Sequence, residues 1–63
     1  MTRDELVDQL AQAAWEHDGV GGLWSSVYGE TRRDWVDSID AVIRQLERLV
    51  PEAGVAMKRV TAD

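Results

Sequence analysis

The sequence has no cysteine and no phenylalanine, and only one proline and one histidine among its 63 residues. Without cysteine, the chain can form neither a disulfide framework nor a thiolate metal site. No apolar run approaches the roughly 20 residues of a membrane-spanning helix, and the N-terminus lacks the apolar core of a signal peptide. We therefore expect a cytoplasmic single domain that is stabilised by a good apolar core or by a partner chain.

Basic residues are also scarce. Seven Lys and Arg residues face twelve Asp and Glu residues, which gives a formal net charge of −5. Non-specific binding to nucleic acid or to anionic membranes needs basic patches, so this balance argues against both. The charge fits a soluble protein, or one whose partner is basic.

What the chain does contain is apolar residues at helical spacing. Thr31–Pro51 carries two adjacent rows of large groups, which we call the Trp35 row (Trp35, Ile39, Val42, Leu46, Leu49) and the Val36 row (Val36, Ile43, Val50). The spacing predicts a helix that is capped by Thr31 with Asp34 and ended by Pro51.

A second long helix is predicted nearer the N-terminus, from about Arg3 to His17. Thr2 and Glu5 have the spacing of a capping box, and Gly19 is suited to stop the helix. Its expected inward face, which would cover the Trp35 row, consists of Leu6, Leu10, Ala13 and Ala14, flanked by Val7 and Ala11.

Between the two helices lies a linker, Asp18–Glu30, with four of the five glycines. The linker also holds apolar residues at helical spacing, so a turn or a short helix over Gly22–Tyr28 is predicted. Trp24 would then cap the open end of the helix pair.

These elements predict an all-α fold, a helical hairpin of two long helices with a short helix or turn between them. Residues 1–51 form the helical domain, and residues 52–63 form a tail that is either a short helix from Val55 to Val60 or disordered. Because the Val36 row has no evident cover within the chain, we expect a protein interface there, and a homodimer resembling a four-helix bundle. The interface residues expected are Val36, Ile43, Val50, Trp24 and Tyr28.

No catalytic, cofactor-binding or metal-binding constellation stands out, so we expect no enzyme and no cofactor. His17 is better explained as a helix C-terminal cation than as a metal ligand. The glycines of residues 19–22 lack the Lys and Ser or Thr of a phosphate loop. Ser25 and Ser26 lack the context of a nucleophile.

Two charged clusters remain open to interpretation. Asp34, Asp37 and Asp40 share one helix face, which is either a solvated face or an acidic surface that mimics phosphates. Arg32 and Arg33 either contact a phosphate at the helix N-terminus or lie over a Trp face and pair with Asp.

The chain also resembles small proteins of unassigned function from actinobacteriophages and actinobacterial prophages. The likeness rests on Trp24, Arg32 and Trp35, on the run Ile39-Asp40-Ala41-Val42, and on an earlier helix with Ala13-Ala14-Trp15-Glu16. Ile39 departs from the alanine of that pattern. The resemblance implies an accessory protein that acts inside a bacterial host, with no active residues to carry over.

Three functions are therefore expected, in descending order. The first is a non-enzymatic module that binds a bacterial host protein through an apolar helix face. The second is an acidic inhibitor, either a nucleic-acid mimic or antitoxin-like. The third is a helix-turn-helix DNA-binding regulator, which the three aspartates of its recognition helix disfavour.

Overall fold

A computed structural model of the protein describes residues 1–18 and 22–61. These residues form three α-helices: α1 (Arg3–Asp18), α2 (Gly29–Leu49) and α3 (Pro51–Thr61). A 3₁₀ turn at Trp24–Ser26 lies between α1 and α2, and the described ranges contain no strand. The predicted all-α class is confirmed.

The start of α1 is fixed by the predicted capping box. The Glu5 backbone N–H donates to the Thr2 hydroxyl at 3.2 Å, and the Thr2 backbone N–H donates to the Glu5 carboxylate at 3.3 Å. Each residue thus satisfies a backbone donor of the other, and such donors have no partner within the helix. His17 lies in the last turn, where a cation suits the helix dipole. The predicted stop at Gly19 lies outside the described residues.

The predicted start of α2 was wrong by three residues, nearly one helical turn. The helix begins at Gly29, and its N-cap is Tyr28, which makes no side-chain capping bond. Gly29 has φ of +71°, a left-handed value that favours glycine and lets the chain turn sharply into the helix. Thr31 therefore lies inside the first turn rather than at the cap.

Pro51 ends α2 as predicted and also begins α3. The residue before a proline disfavours the α conformation, so α2 stops at Leu49 and Val50 is extended. Proline lacks the N–H that would be unsatisfied at a first helical position, and it therefore suits the start of α3. The C-terminal segment is thus helical from Pro51 to Thr61, a longer stretch than Val55 to Val60.

The buried face of α1 is rotated from the predicted one. The residues buried in the core are Val7, Ala11 and Trp15, at successive steps of four. Of the predicted inward face, Leu6 and Ala14 are half-buried, whereas Leu10 and Ala13 are exposed. The reason is Trp15, because burying the largest side chain of the helix carries the residues four and eight positions before it inward as well.

The two rows of α2 differ from the prediction in which of them faces the core. Ile43 is buried and Val36 is half-buried, so the Val36 row faces the core over most of its length. The Trp35 row is half-buried at Trp35 and Ile39 but exposed at Val42, Leu46 and Leu49. The expectation that the Val36 row lacks cover within the chain was therefore wrong, since the rotated α1 face meets that row.

α1 and α2 pack in opposite directions. Arg3, at the start of α1, forms ion pairs with Asp40 and Glu47 in the second half of α2. Trp15, near the end of α1, contacts Trp35 in the first half of α2. α3 folds back on the Glu47 side of α2, since a Cβ placed on Gly54 would lie 3.8 Å from the Glu47 carboxylate.

Candidate interaction surface

The first half of α2 is anchored by a cluster of all three tryptophans. Trp15 lies between the other two, with its ring centre 6.1 Å from that of Trp24 and 5.3 Å from that of Trp35. The Trp15–Trp35 pair meets edge to face, which is a favoured arrangement of aromatic quadrupoles. The 3₁₀ turn thus delivers Trp24 to the end of the helix pair, as the sequence predicted, and Trp24 is 3% exposed.

Arg32 holds this end of the molecule together. Its guanidinium donates to the carbonyl oxygens of Trp24 at 3.2 Å and Val27 at 3.0 Å. It also pairs with the Asp8 carboxylate at 2.8 Å and lies 4.5 Å from the Trp24 ring centre. A single arginine therefore joins α1, the 3₁₀ turn and α2, and these bonds occupy the groups that would contact a phosphate.

The indole N–H groups at this end also have acceptors. The Trp24 indole donates to the Asp8 carboxylate at 3.4 Å, and the Trp15 indole donates to the Gly22 carbonyl at 3.3 Å. Among the described residues, no buried side-chain nitrogen or oxygen lacks a hydrogen-bond partner. Because an unsatisfied buried polar group is costly, this end has the features of a finished core.

A network of ion pairs joins the other end of α1 to α2. Asp40 accepts from Arg44, four residues later in the helix, at 2.7 Å and from Arg3 at 3.5 Å. Arg3 also pairs with Glu47 at 3.0 Å. The hydrogen bond from Arg44 and the positive charges of Arg44 and Arg3 lower the pKa of Asp40 from its ordinary value, despite an opposing desolvation effect.

The three aspartates of the predicted acidic surface do not share one environment. Asp37 and Asp40 line a cleft of about 390 Å³ between α1 and α2, which also contains Arg3 and Arg44. Asp34 instead lines a separate cavity of about 220 Å³ beside Trp35 and Ser38. Asp40 is half-buried and paired with two arginines, so only Asp34 and Asp37 are exposed acids of this set.

The second half of α2 carries three exposed apolar side chains, which we call the exposed row (Val42, Leu46, Leu49). Their exposed fractions are 63%, 46% and 70%. They follow each other at steps of four and three, so they form one continuous ridge on a single helix face. A single exposed leucine is ordinary, whereas an apolar ridge of three exposed residues is a candidate binding surface.

The surface area of the chain agrees with an uncovered face. The accessible surface is 4728 Å² for a mass of 7.1 kDa. The scaling law for compact monomers gives about 4,100 Å² for that mass. The radius of gyration is 12.5 Å, and compact packing of this length gives about 10.6 Å. The chain is therefore more open than a typical monomer of its size.

The residues predicted for a protein interface differ in their exposure. Tyr28 and Val50 are exposed, and Val36 is half-buried. Trp24 and Ile43 are buried within the chain, with 3% and 5% of their surface exposed. Trp24 and Ile43 could contact a partner only after local rearrangement of the core.

The candidate chemical residues remain apart from one another. His17, Ser25 and Ser26 are exposed, and Gly19–Gly21 lie outside the described residues. In residues 1–18 and 22–61, no three His, Cys, Asp or Glu side chains are grouped as ligands of a metal ion. None of the helices in these ranges has the length and apolar character needed to cross a membrane.

Sequence reasoning missed Asp8 and Arg3, the two charged residues of α1 that contact α2. Their partners are 24 to 44 residues away. Helical spacing reports only neighbours three or four positions apart. The steps of four from Val7 through Ala11 to Trp15 were visible in the sequence and could have placed both residues beside the inward face.

The fold and this surface define a small all-α protein with a tryptophan-anchored core and an uncovered apolar ridge. Comparisons with protein-family models, with curated proteins and with solved structures give no match. What the protein does must therefore be inferred from its own residues.

Proposed function

We propose that the protein is a small non-enzymatic interaction module whose binding surface is the exposed row of α2. The observation that carries this proposal is the contiguous exposure of Val42, Leu46 and Leu49 on one helix face. Burying such a ridge against a partner contributes roughly 25 cal/mol per Å² of apolar area removed from water.

In this proposal, α1 and α2 form a helical hairpin, and the hairpin presents the ridge to the partner. The Trp cluster and Arg32 fix the closed end of the hairpin, whereas the ridge lies toward the other end of α2. A rigid scaffold reduces the ordering cost of binding, because little of the surface must be organised when the partner arrives.

We further propose that the protein acts in the bacterial cytoplasm as a phage or prophage accessory protein that binds a host protein. The support is the sequence resemblance through Trp24, Arg32 and Trp35. Two of these residues, Trp24 and Arg32, contact each other at the closed end. The shared residues therefore maintain the scaffold, while the exposed row supplies the contact.

Affinity capture from a bacterial lysate tests this proposal. The chain is expected to retain a defined host protein, and Leu46→Glu is expected to lose it. Val55→Glu is the matched control, because Val55 is an exposed apolar residue on α3, 54% exposed. Equal capture by the wild type and both variants would refute a role for the exposed row.

A second candidate is an acidic inhibitor, favoured by the exposure of Asp34 and Asp37 on α2. Asp40 contributes less, because Arg44 and Arg3 neutralise it. In this case, Asp34→Asn with Asp37→Asn abolishes inhibition of a nucleic-acid-binding target, while Leu46→Glu leaves it unchanged. The opposite pattern supports the apolar surface.

The DNA-binding candidate is the weakest of the three. Arg32 is committed to Asp8 and to two backbone carbonyls, so Arg33 alone remains exposed at the start of α2. Phosphate contacts need several cations to give useful affinity. A gel-shift measurement at low salt is expected to show no complex, and a stable complex would revive this candidate.

A further inference from the structure

We infer that the occupant of the exposed row is a second copy of this chain, bound with its α2 antiparallel to the first. The inference rests on the proposed function: in the free protein the second copy occupies the same surface, and a host protein has to displace it. It combines the residue spacing along α2, the orientation of the helix dipoles and the surface area of the chain.

The spacing of the ridge is that of a coiled-coil seam. Ile39, Val42, Leu46 and Leu49 follow at steps of three, four and three, which places them at successive a and d positions. Within the chain, α1 meets the adjacent Val36 row and leaves the last three seam residues exposed. Ile39 packs against the core, so the seam is partly covered at that residue and has no helix against its last three residues in the described structure.

An antiparallel second copy matches this seam to itself. With the twofold axis at the level of Arg44, Val42 lies level with Leu46 of the second copy. Ile39 then lies level with Leu49 of the second copy. Each a residue thus meets a d residue, and four apolar layers form from one short helix. A twofold contact requires this kind of self-complementarity.

The helix dipoles favour the antiparallel orientation, because the positive end of one α2 then lies beside the negative end of the other. The charged side chains are close to balance in both halves of the helix. The first half carries Glu30, Asp34 and Asp37 with Arg32 and Arg33, and the second half carries Asp40 and Glu47 with Arg44 and Arg48. A parallel pair in register would place every charged residue level with its own copy, which is unfavourable.

The residues next to the ridge are neutral. Ser38 and Gln45 border it on the side away from the Val36 row, both side chains are exposed, and the Gln45 side-chain oxygen accepts from Arg48 at 3.3 Å. Near the axis, Gln45 lies beside Gln45 of the second copy, where two neutral amides can exchange hydrogen bonds. α3 leaves the seam open, since it folds back on the Glu47 side of α2.

The surface area sets the strength of the contact. The chain exposes roughly 600 Å² more than a compact monomer of its mass. A standard stable interface buries about 800 Å² per partner. The expected dimer interface is therefore smaller than a standard stable one, so we expect an equilibrium between monomer and dimer.

Sedimentation equilibrium over a concentration series tests the dimer with the full chain. The wild type is expected to pass from monomer to dimer, and Val42→Glu is expected to weaken the association by about tenfold or more, because it buries a charge in the seam. Val55→Glu should associate like the wild type. Circular dichroism checks that both variants keep the helix content of the wild type.

Cross-linking tests the orientation, and the absence of native cysteine gives a clean background. Gln45→Cys lies within about 3 Å along the axis of its counterpart, whereas Ser38→Cys lies about 18 Å from its own at 1.5 Å per residue. A short bismaleimide reagent should therefore link Gln45→Cys chains efficiently and Ser38→Cys chains poorly. Equal yields would overturn the antiparallel register.

A strict monomer at millimolar concentration would overturn the second copy as occupant, and so would a dimer that Val42→Glu leaves intact. A strict monomer that captures a host protein through Leu46 would still support the proposed function. A dimer sensitive to Val42→Glu supports the inference, even if no host protein is captured. Failure of the dimer inference is thus distinguishable from failure of the proposed function.

Discussion

The two halves of α2 differ in what covers them. In the first half, Trp35 packs against Trp15, and Arg32 reaches across to α1 and to the 3₁₀ turn. In the second half, Ile43 is buried, but Val42, Leu46 and Leu49 remain in contact with water. The same helix therefore supports the fold at one end and offers a surface at the other. Hydrophobicity alone does not distinguish the two roles, but the position of the aromatic residues does.

Trp24→Ala gives the largest expected effect and tests the closed end. Trp24 is 3% exposed, and replacing a buried tryptophan by alanine costs about 3–5 kcal/mol. A chain of this length has roughly 3–9 kcal/mol of stability, so the variant should lose about a third of it or more, which lowers the midpoint of urea unfolding followed by circular dichroism. Leu23→Ala, at a neighbouring residue that is 70% exposed, is the control and should unfold like the wild type.

Ile43→Ala and Val42→Ala compare the two rows at consecutive positions. Ile43 is 5% exposed and should lose about 2–5 kcal/mol in urea denaturation. Val42 is 63% exposed and should change by at most about 0.5 kcal/mol when the protein is dilute. A larger loss for Val42→Ala than for Ile43→Ala would mean that the Trp35 row, and not the Val36 row, faces the core.

Arg32→Ala is expected to have an intermediate effect. It removes two carbonyl contacts, the Asp8 ion pair and the contact with the Trp24 ring, so a loss of about 1–3 kcal/mol in the free energy of unfolding is expected. Arg32→Lys should recover little of the lost stability, because an ammonium group cannot reproduce the planar set of N–H donors of a guanidinium. The adjacent Arg33→Ala is the control, and equal losses for Arg32→Ala and Arg33→Ala would contradict the anchoring role of Arg32.

The pH dependence of stability gives the smallest expected effect. The folded protein lowers the pKa of Asp40, so this carboxylate stabilises the fold above its unfolded pKa of about 3.9. That contribution is lost as the pH falls through the lowered folded value. Acid unfolding of the wild type and Asp40→Asn should therefore converge at low pH. A stability gap that stays constant from neutral to acid pH would exclude this contribution.

Much of the fold followed from local patterns in the sequence. The Thr2–Glu5 cap and the stop at Pro51 depend on neighbouring residues only, and both were predicted. Which face of each helix is buried was not predicted, because this depends on which side chain is largest across both helices. Trp15 looked peripheral in the pattern of α1, yet it lies between Trp24 and Trp35 and rotates the helix.

The candidate surface was found as a pattern but assigned to the wrong face. Val42, Leu46 and Leu49 were identified as large apolar groups on one stripe, and they were expected to be covered by α1. The rotation of α1 turns Leu10 outward instead and leaves the exposed row open. The long-range pairs of Arg3 and Asp8 had no local signal, since they form only after the two helices meet.

Methyl NMR spectra recorded from micromolar to millimolar protein test the central claim most directly. The account predicts that the methyl signals of Val42, Leu46 and Leu49 shift together with concentration, while those of Val7 and Ala11 in the core remain unchanged. Signals of the exposed row that stay constant over the whole range, or shifts confined to other surfaces, would contradict the claim that this ridge is where the protein binds its own copy.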